Sequence, residues 1–213
     1  MEYKKNNQVK ILSLGKIDYS KCVDLQKKLQ KEIIDIKLFN RKNNLNKLTP
    51  NYLMIVEHDH VYTLGKSGKS ENLLYSLSEL KSKNIQFHET SRGGDITYHG
   101  PGQLVIYPIL DLENYFTDIH KYLRFLELAV INTLKDLNIH SSNNPSKTGV
   151  WLDVDKRSER KICAMGVKVS RWVTMHGLAL NVNCDLEFFN GIVPCGLDNR
   201  NVTSIKNEIQ KSI

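Results

Sequence analysis

The sequence predicts an α/β fold built around one core. Three observations carry that reading. Apolar residues recur at spacings of three and four in two long stretches, Cys22, Leu25, Leu29, Ile33 and Ile36, then Ile119, Tyr122, Leu123, Leu126, Val130, Leu134 and Leu137. Short apolar runs of strand length, bounded by turn residues, fall before, between and after them. The 213 residues carry no internal repeat, linker or low-complexity boundary, so 1–213 is read as a single domain.

Taken in order, residues 9–14 form a first strand and 21–39 a helix whose apolar face includes Cys22 as a core thiol. RKNNLNKLTPN is polar, ends in Pro-Asn and reads as a loop. Residues 52–57 are a buried strand that runs into EHDHVYTLGKSGK. His58 and His60 there can bind a metal only with a third ligand, and none is evident nearby, so loop or pocket lining is the reading and no metal is expected. GKSGKS lacks the four-residue spacing of a phosphate-binding Walker loop and reads as a turn before a short helix near 76–83. A strand at 85–89 delivers SRGGDITYHGPGQ, and 103–110 is a near-continuous apolar strand. The chain turns at 111–118, with Thr117 or Asp118 as N-cap of the second long helix. HSSNNPSKTG is a polar loop. Strands follow at 150–154, 161–169 and 172–182, with DKRSER as a charged turn and Gly177 as a bulge or close-approach point. A short turn or helix at 185–189 and a polar C-terminal helix at 203–213 complete the chain.

Composition excludes several classes. Four cysteines, widely spaced and without CxxC, fit neither a disulfide scaffold nor a zinc site, and point to a reducing compartment. No apolar run is long enough to span a bilayer. The N-terminus lacks the apolar region of a signal peptide, and the chain reads as cytoplasmic, or as an organelle-matrix protein if a presequence has been removed. A net charge of +7 admits an acidic partner or nucleic acid, but the basic residues are not interleaved with aromatics in a nucleic-acid motif.

Two segments concentrate chemistry. In the first, Arg92, Gly93, Gly94, Asp95 and His99 crowd a dozen positions. The glycines permit a turn between strands or a close backbone approach to a ligand, and Arg92 and His99 are costly to bury unless they hold something. The second runs from Lys161 to Cys195. Cys163 and Cys184 read as packing thiols. Cys195 sits between Pro194 and Gly196, either as a small residue in a turn or as a nucleophile presented on a loop. Lys161 lies 34 positions earlier, so only the fold can bring it near. An ammonium about 4 Å from a thiolate, at an effective dielectric near ~20, stabilises it by about 4 kcal/mol. That is large beside the ~1.4 kcal/mol of one pKa unit, so one lysine is enough to activate a thiol.

SRGGDITYHGPGQLVIYPIL, KICAMGVKVSRWVTMHGLALNVN and IVPCGL, with EHDHVYTLGKSGKSENLL before them, resemble the signature blocks of the lipoyl(octanoyl) transferases, over about residues 57–197. The departures are small: His60 stands where a proline is common, and RKNNLNKLTPN is unusually polar. The resemblance implies a biotin/lipoate ligase-like fold, a mixed central sheet with helices on one side and a smaller second sheet beside it. It implies transfer of an octanoyl group from octanoyl-acyl carrier protein to a lysine of lipoyl domains, those of 2-oxoacid dehydrogenase E2 subunits and the glycine cleavage H protein, without ATP, metal or another cofactor. It makes Cys195 the acyl-thioester nucleophile and Lys161 the group that lowers its pKa. It makes Arg92, Gly93, Gly94, Asp95, Ile96, Thr97, Tyr98 and His99, then Ala164, Met165 and Gly166, then Gly177, Leu178 and Ala179, the substrate-lining residues. The rival readings are an ATP-dependent lipoate or biotin ligase of the same fold and a non-catalytic carrier-binding module. The short SRGGD and the Pro-Cys-Gly loop argue against the ligase.

Overall fold

The computed structural model describes residues 5–193 and 202–213. Among the described residues, ten strands form two sheets. The large sheet has the order β1 (Lys10–Lys16), β2 (Tyr52–Glu57), β6 (Gln103–Ile109), β10 (Val173–Asn181), β9 (Arg160–Ser170), β8 (Lys147–Leu152), β7 (Ser142–Asn144). Only the β1–β2 pair is parallel, so the sheet is mixed. The small sheet has β3 (Val61–Leu64) between β4 (Gln86–Glu89), parallel, and β5 (Thr97–His99), antiparallel.

Helix α1 (Tyr19–Asn43) begins where Asp18 accepts a hydrogen bond from the Lys21 N–H, and ends at Asn44, whose φ of 52° suits a left-handed C-cap. It runs through Arg41–Asn43, residues that composition alone assigned to a loop. α2 (Leu77–Ser82) carries a capping box between Ser76 and Glu79. α3 (Ile119–Asp136) is capped by Asp118, which accepts from the Lys121 N–H. α4 (Ile205–Ile209) is short.

Strand alternation decides which helix covers which face. On β6, Val105, Tyr107 and Ile109 pack with Cys22, Leu29 and Ile33 of α1. Leu104 and Ile106, pointing the other way, join the cluster of Val130 and Leu134 from α3. The long helices therefore lie on opposite faces of the large sheet, not on one side. With apolar residues in both directions, β6 and β10 need cover on both faces.

Three short strands escaped the sequence reading. β3 and β5 belong to the small sheet, and β7 pairs with Lys147, Val150 and Trp151 of β8 across Pro145–Ser146, turning the polar loop HSSNNPSKTG into a hairpin. The expected strand at 150–154 begins instead at Lys147. Gly177 is no bulge: it pairs in register with Gly166, and a Cβ there would stand 2.1 Å from the Ile106 carbonyl oxygen. It is a close-approach glycine.

At the far end of α1 from the glycine segment, Lys37 is buried and its Nζ lies 2.5 Å from the Asp111 carboxylate and 3.1 Å from that of Glu113. Asp111 also accepts from Thr49 Oγ1 at 2.9 Å. Removing one partner of a buried pair leaves an uncompensated charge. Lys37→Ala is expected to lower the unfolding free energy by about 3 kcal/mol, measured by urea denaturation.

Candidate active site

The site forms where β8 leaves β9. Their pairing ends at Val150–Cys163, so the β9 backbone from Ala164 to Val167 meets no further strand on that side. The glycine segment takes that place. The Gly93 N–H donates to the Val167 carbonyl at 2.9 Å. A Cβ on Gly166 would stand 2.7 Å from the Gly93 carbonyl oxygen, so only glycine allows this approach.

Arg92 holds the segment from inside. Its Nη2 donates to the Thr63 carbonyl at 2.5 Å and to Thr63 Oγ1 at 2.9 Å, and its Nη1 donates to the Gly93 carbonyl at 3.0 Å. The GKSGK loop fastens the other side. Lys66 N–H donates to the Arg92 carbonyl at 2.9 Å, Ser67 N–H to that of Gly94 at 3.2 Å, and Asn72 Nδ2 to Asp95 at 2.6 Å. Gly65 has no room for a Cβ against the Gly94 carbonyl. The glycines that resemble a phosphate loop thus serve to clamp the neighbouring loop.

Between this segment, β9 and the start of α3 lies a cavity of about 530 Å³. Arg92 through Thr97, Ala164 through Gly166 and Lys161 all line it, with Ile119, Leu123, Trp151 and Val202. Beyond β9 it adjoins a smaller cavity of about 40 Å³, lined by Thr97, His99, Gly177, Leu178 and Ala179. The structure therefore gathers nearly all the residues singled out in sequence. Tyr98 stands apart: on β5 it points opposite to Thr97 and His99, and is buried in the core of the small sheet beside Tyr62 and Phe189.

Lys161 sits at the rim of the larger cavity. Its ammonium lies 4.5 Å from the centre of the Trp151 ring, a cation–π arrangement, and its stem passes Gly149, where a Cβ would lie 3.4 Å from Lys161 Cε. Gly149 has φ +122°, and its N–H donates to the buried Glu127 carboxylate at 3.0 Å. Sequence reasoning missed Trp151 and Gly149, which lie outside the motif runs, and Thr63, which lies within EHDHVYTLGKSGKSENLL but carries no signal that sets it apart. The chain returns to the site at Val202, which bridges Lys161, and the Thr203 N–H donates to the Lys161 carbonyl at 2.9 Å. Cys195 lies outside the described residues.

The other three thiols are buried, and burial suppresses ionisation: Cys22 and Cys184 are pushed up to about 12, and Cys163 is raised further. Among the described residues no group of three or more His, Cys, Asp or Glu is placed to hold a metal. His58 and His60 diverge. His58 Nδ1 meets the Ile17 carbonyl at 2.8 Å and must donate there, so in the neutral ring Nε2 accepts from the Tyr107 hydroxyl at 2.9 Å. His60 stacks on Phe188 at 3.9 Å between ring centres and lines neither cavity.

The Lipoyl protein ligase A/B catalytic domain family matches residues 23–213. The chain belongs to this family. It is 57% identical to an octanoyltransferase of Christiangramia forsetii over 98% of this chain and 89% of that one. It is 54% identical to an octanoyltransferase of Flavobacterium johnsoniae, over 96% and 88% respectively. A crystal structure of lipoate-protein ligase A bound with ATP superposes with a TM-score of 0.68 at 18% identity, over 97% of this chain and 79% of that one. A biotin protein ligase from Aquifex aeolicus gives 0.54 at 13% identity, over 96% and 62%. These structural likenesses establish the fold: a mixed large sheet, a smaller second sheet and flanking helices. Among the described residues no helix is long and apolar enough to cross a membrane.

His58, His99 and His176 are all buried and held below the usual imidazole value, chiefly by desolvation, His176 down to about 3. Folded imidazoles that refuse protons make stability full above the unfolded value of 6.5 and erode it as pH falls below that point. The melting temperature is expected to drop steadily from pH 6.5 toward pH 4, followed by calorimetry across that range.

Proposed function

We propose that the protein transfers an octanoyl group from octanoyl-acyl carrier protein to a lysine of lipoyl domains, through a thioester on Cys195. The observation that carries the reading is the position of Lys161: it lines the large, mainly apolar cavity, and its carbonyl accepts from the Thr203 N–H. The stretch that carries Cys195 leaves at Val193 and rejoins at Val202, beside that lysine.

The transfer has two steps. The Cys195 thiolate, favoured by the Lys161 ammonium, attacks the octanoyl thioester; the S-acyl bond to the carrier breaks and the carrier leaves as its thiolate. The acceptor lysine then attacks the acyl-enzyme as a free amine. The C–S bond breaks, the amine's proton passes to water or to the released carrier thiolate, the Cys195 thiolate is restored, and an amide forms. Thioester exchange is nearly balanced, and amide formation drives the sum without ATP or metal. Backbone N–H groups of the glycine segments are the candidates to hold the oxyanion. The small residues Gly93, Gly94, Ala164, Gly166, Gly177 and Ala179 line a slot for the alkyl chain, at about 0.8 kcal/mol per buried CH₂. Carrier and lipoyl domains are acidic, and the net charge of +7 gives them a complementary surface in the cytoplasm. The acceptors are the lipoyl domains of E2 subunits and the H protein.

Incubated with octanoyl-acyl carrier protein and no ATP, the protein is expected to gain the mass of one octanoyl group and lose it to an added lipoyl domain. Cys195→Ser should form no adduct while melting normally. A protein acylated only by free acid with ATP would instead be a ligase. Lys161→Ala is expected to raise the pH at which iodoacetamide labels Cys195, read by mass spectrometry from pH 6 to 10. An unchanged labelling profile would remove the lysine from that role. Cys22, Cys163 and Cys184 should stay unlabelled in the folded protein up to pH 8.

A further inference from the structure

The slot has an inner end, and two aromatic rings close it. The small cavity beyond β9 is walled by Tyr19, His99, Tyr107 and His176. On the far side of Tyr19 and His176 opens a separate groove of about 340 Å³, lined by Val23, Asp24, Lys27, His88 and Glu89. Among the described residues, Tyr19 and His176 are the two common to the inner cavity and the outer groove. They are a partition one side chain thick. Both are nearly sealed from solvent, at 4% and 3% exposure.

The partition is rigid and polar. Tyr19 stacks on His99 at 6.0 Å and meets His58 edge-on at 5.3 Å, so its ring cannot swing aside without breaking a ring cluster. His176 sits at φ +63°, and its backbone N–H donates to Gln26 of α1 at 2.9 Å. Its Nε2 is buried with no hydrogen-bond partner among the described residues. An apolar chain gains from each methylene laid against Ala164, Leu178 and Ala179, and gains nothing from pressing on an imidazole nitrogen.

We propose that Tyr19 and His176 form the end stop of the acyl slot and set the upper limit of acyl chain length. This rests on the acyl-transfer reading above. Beyond the stop, an added methylene has room only in the outer groove.

The test compares octanoyl, decanoyl and dodecanoyl carrier donors, scoring the Cys195 adduct by intact mass. Tyr19→Leu shortens the stop while keeping apolar bulk on α1. His176→Gly opens it from the strand, and glycine accepts φ +63° without strain. Each is expected to raise the dodecanoyl-to-octanoyl adduct ratio by about tenfold or more. Tyr19→Phe, which keeps the ring, and Val23→Ala, at a residue that lines the outer groove but not the inner cavity, should leave the ratio at the wild-type value. A ratio unmoved in both opening variants, with octanoyl adduct still forming, overturns the stop, as does a wild type that takes dodecanoyl as readily as octanoyl. A wild type that forms no adduct with any donor overturns the acyl-transfer reading itself.

Discussion

The site depends on one backbone contact, the Gly93 N–H on the Val167 carbonyl. It lets an irregular loop stand in for a missing strand at the edge of β9. Everything around it serves to make that approach possible or to hold it. Gly166 removes the side chain that would keep the loop away. Arg92 ties the loop to Thr63 of the small sheet, and the amides of Lys66 and Ser67 grip its carbonyls. The buried guanidinium is satisfied by oxygens on Thr63 and Gly93, which offsets the cost of taking it out of water.

The two sheets thus meet through a loop rather than face to face, and a cavity remains between them. A strand continuing β8 alongside Ala164–Val167 would fill that space with side chains. Instead the edge carries small residues and one lysine at its start. Lys161 has Trp151 beneath its ammonium and Val202 at its backbone. Its stem is confined by Gly149, whose N–H is fixed to Glu127 of α3. The position of the amine is therefore set by three elements at once.

Much of this was legible in the sequence, unevenly. α1 and α3 declare themselves by spacing, and Asp118 by its place before the first apolar turn. Cys22 was readable as core because it falls on the α1 stripe. β3, β5 and β7 were not, since each is three or four residues long, falls within a run read for another feature, and exists through its partners. The glycine segment was visible as an anomaly, but its clamp was not: Thr63 precedes Arg92 by 29 positions and looks like any strand threonine. His176 drew no notice beside Gly177, because its positive φ and orphaned nitrogen arise only once β10 is packed against α1. Tyr98 was grouped with its neighbours by adjacency, and the two-residue period of β5 turns it away from them.

The chain has two tryptophans, and they occupy unlike places. Trp172 sits in the tight β9–β10 turn, where Arg171 and Trp172 both take positive φ. Trp151 lines the large cavity with a cation over its ring. An indole excited state is sensitive to a nearby charge and to water, so filling the cavity changes the environment of one emitter and leaves the other as an internal reference. The protein carries its own optical gauge of whether that cavity is filled.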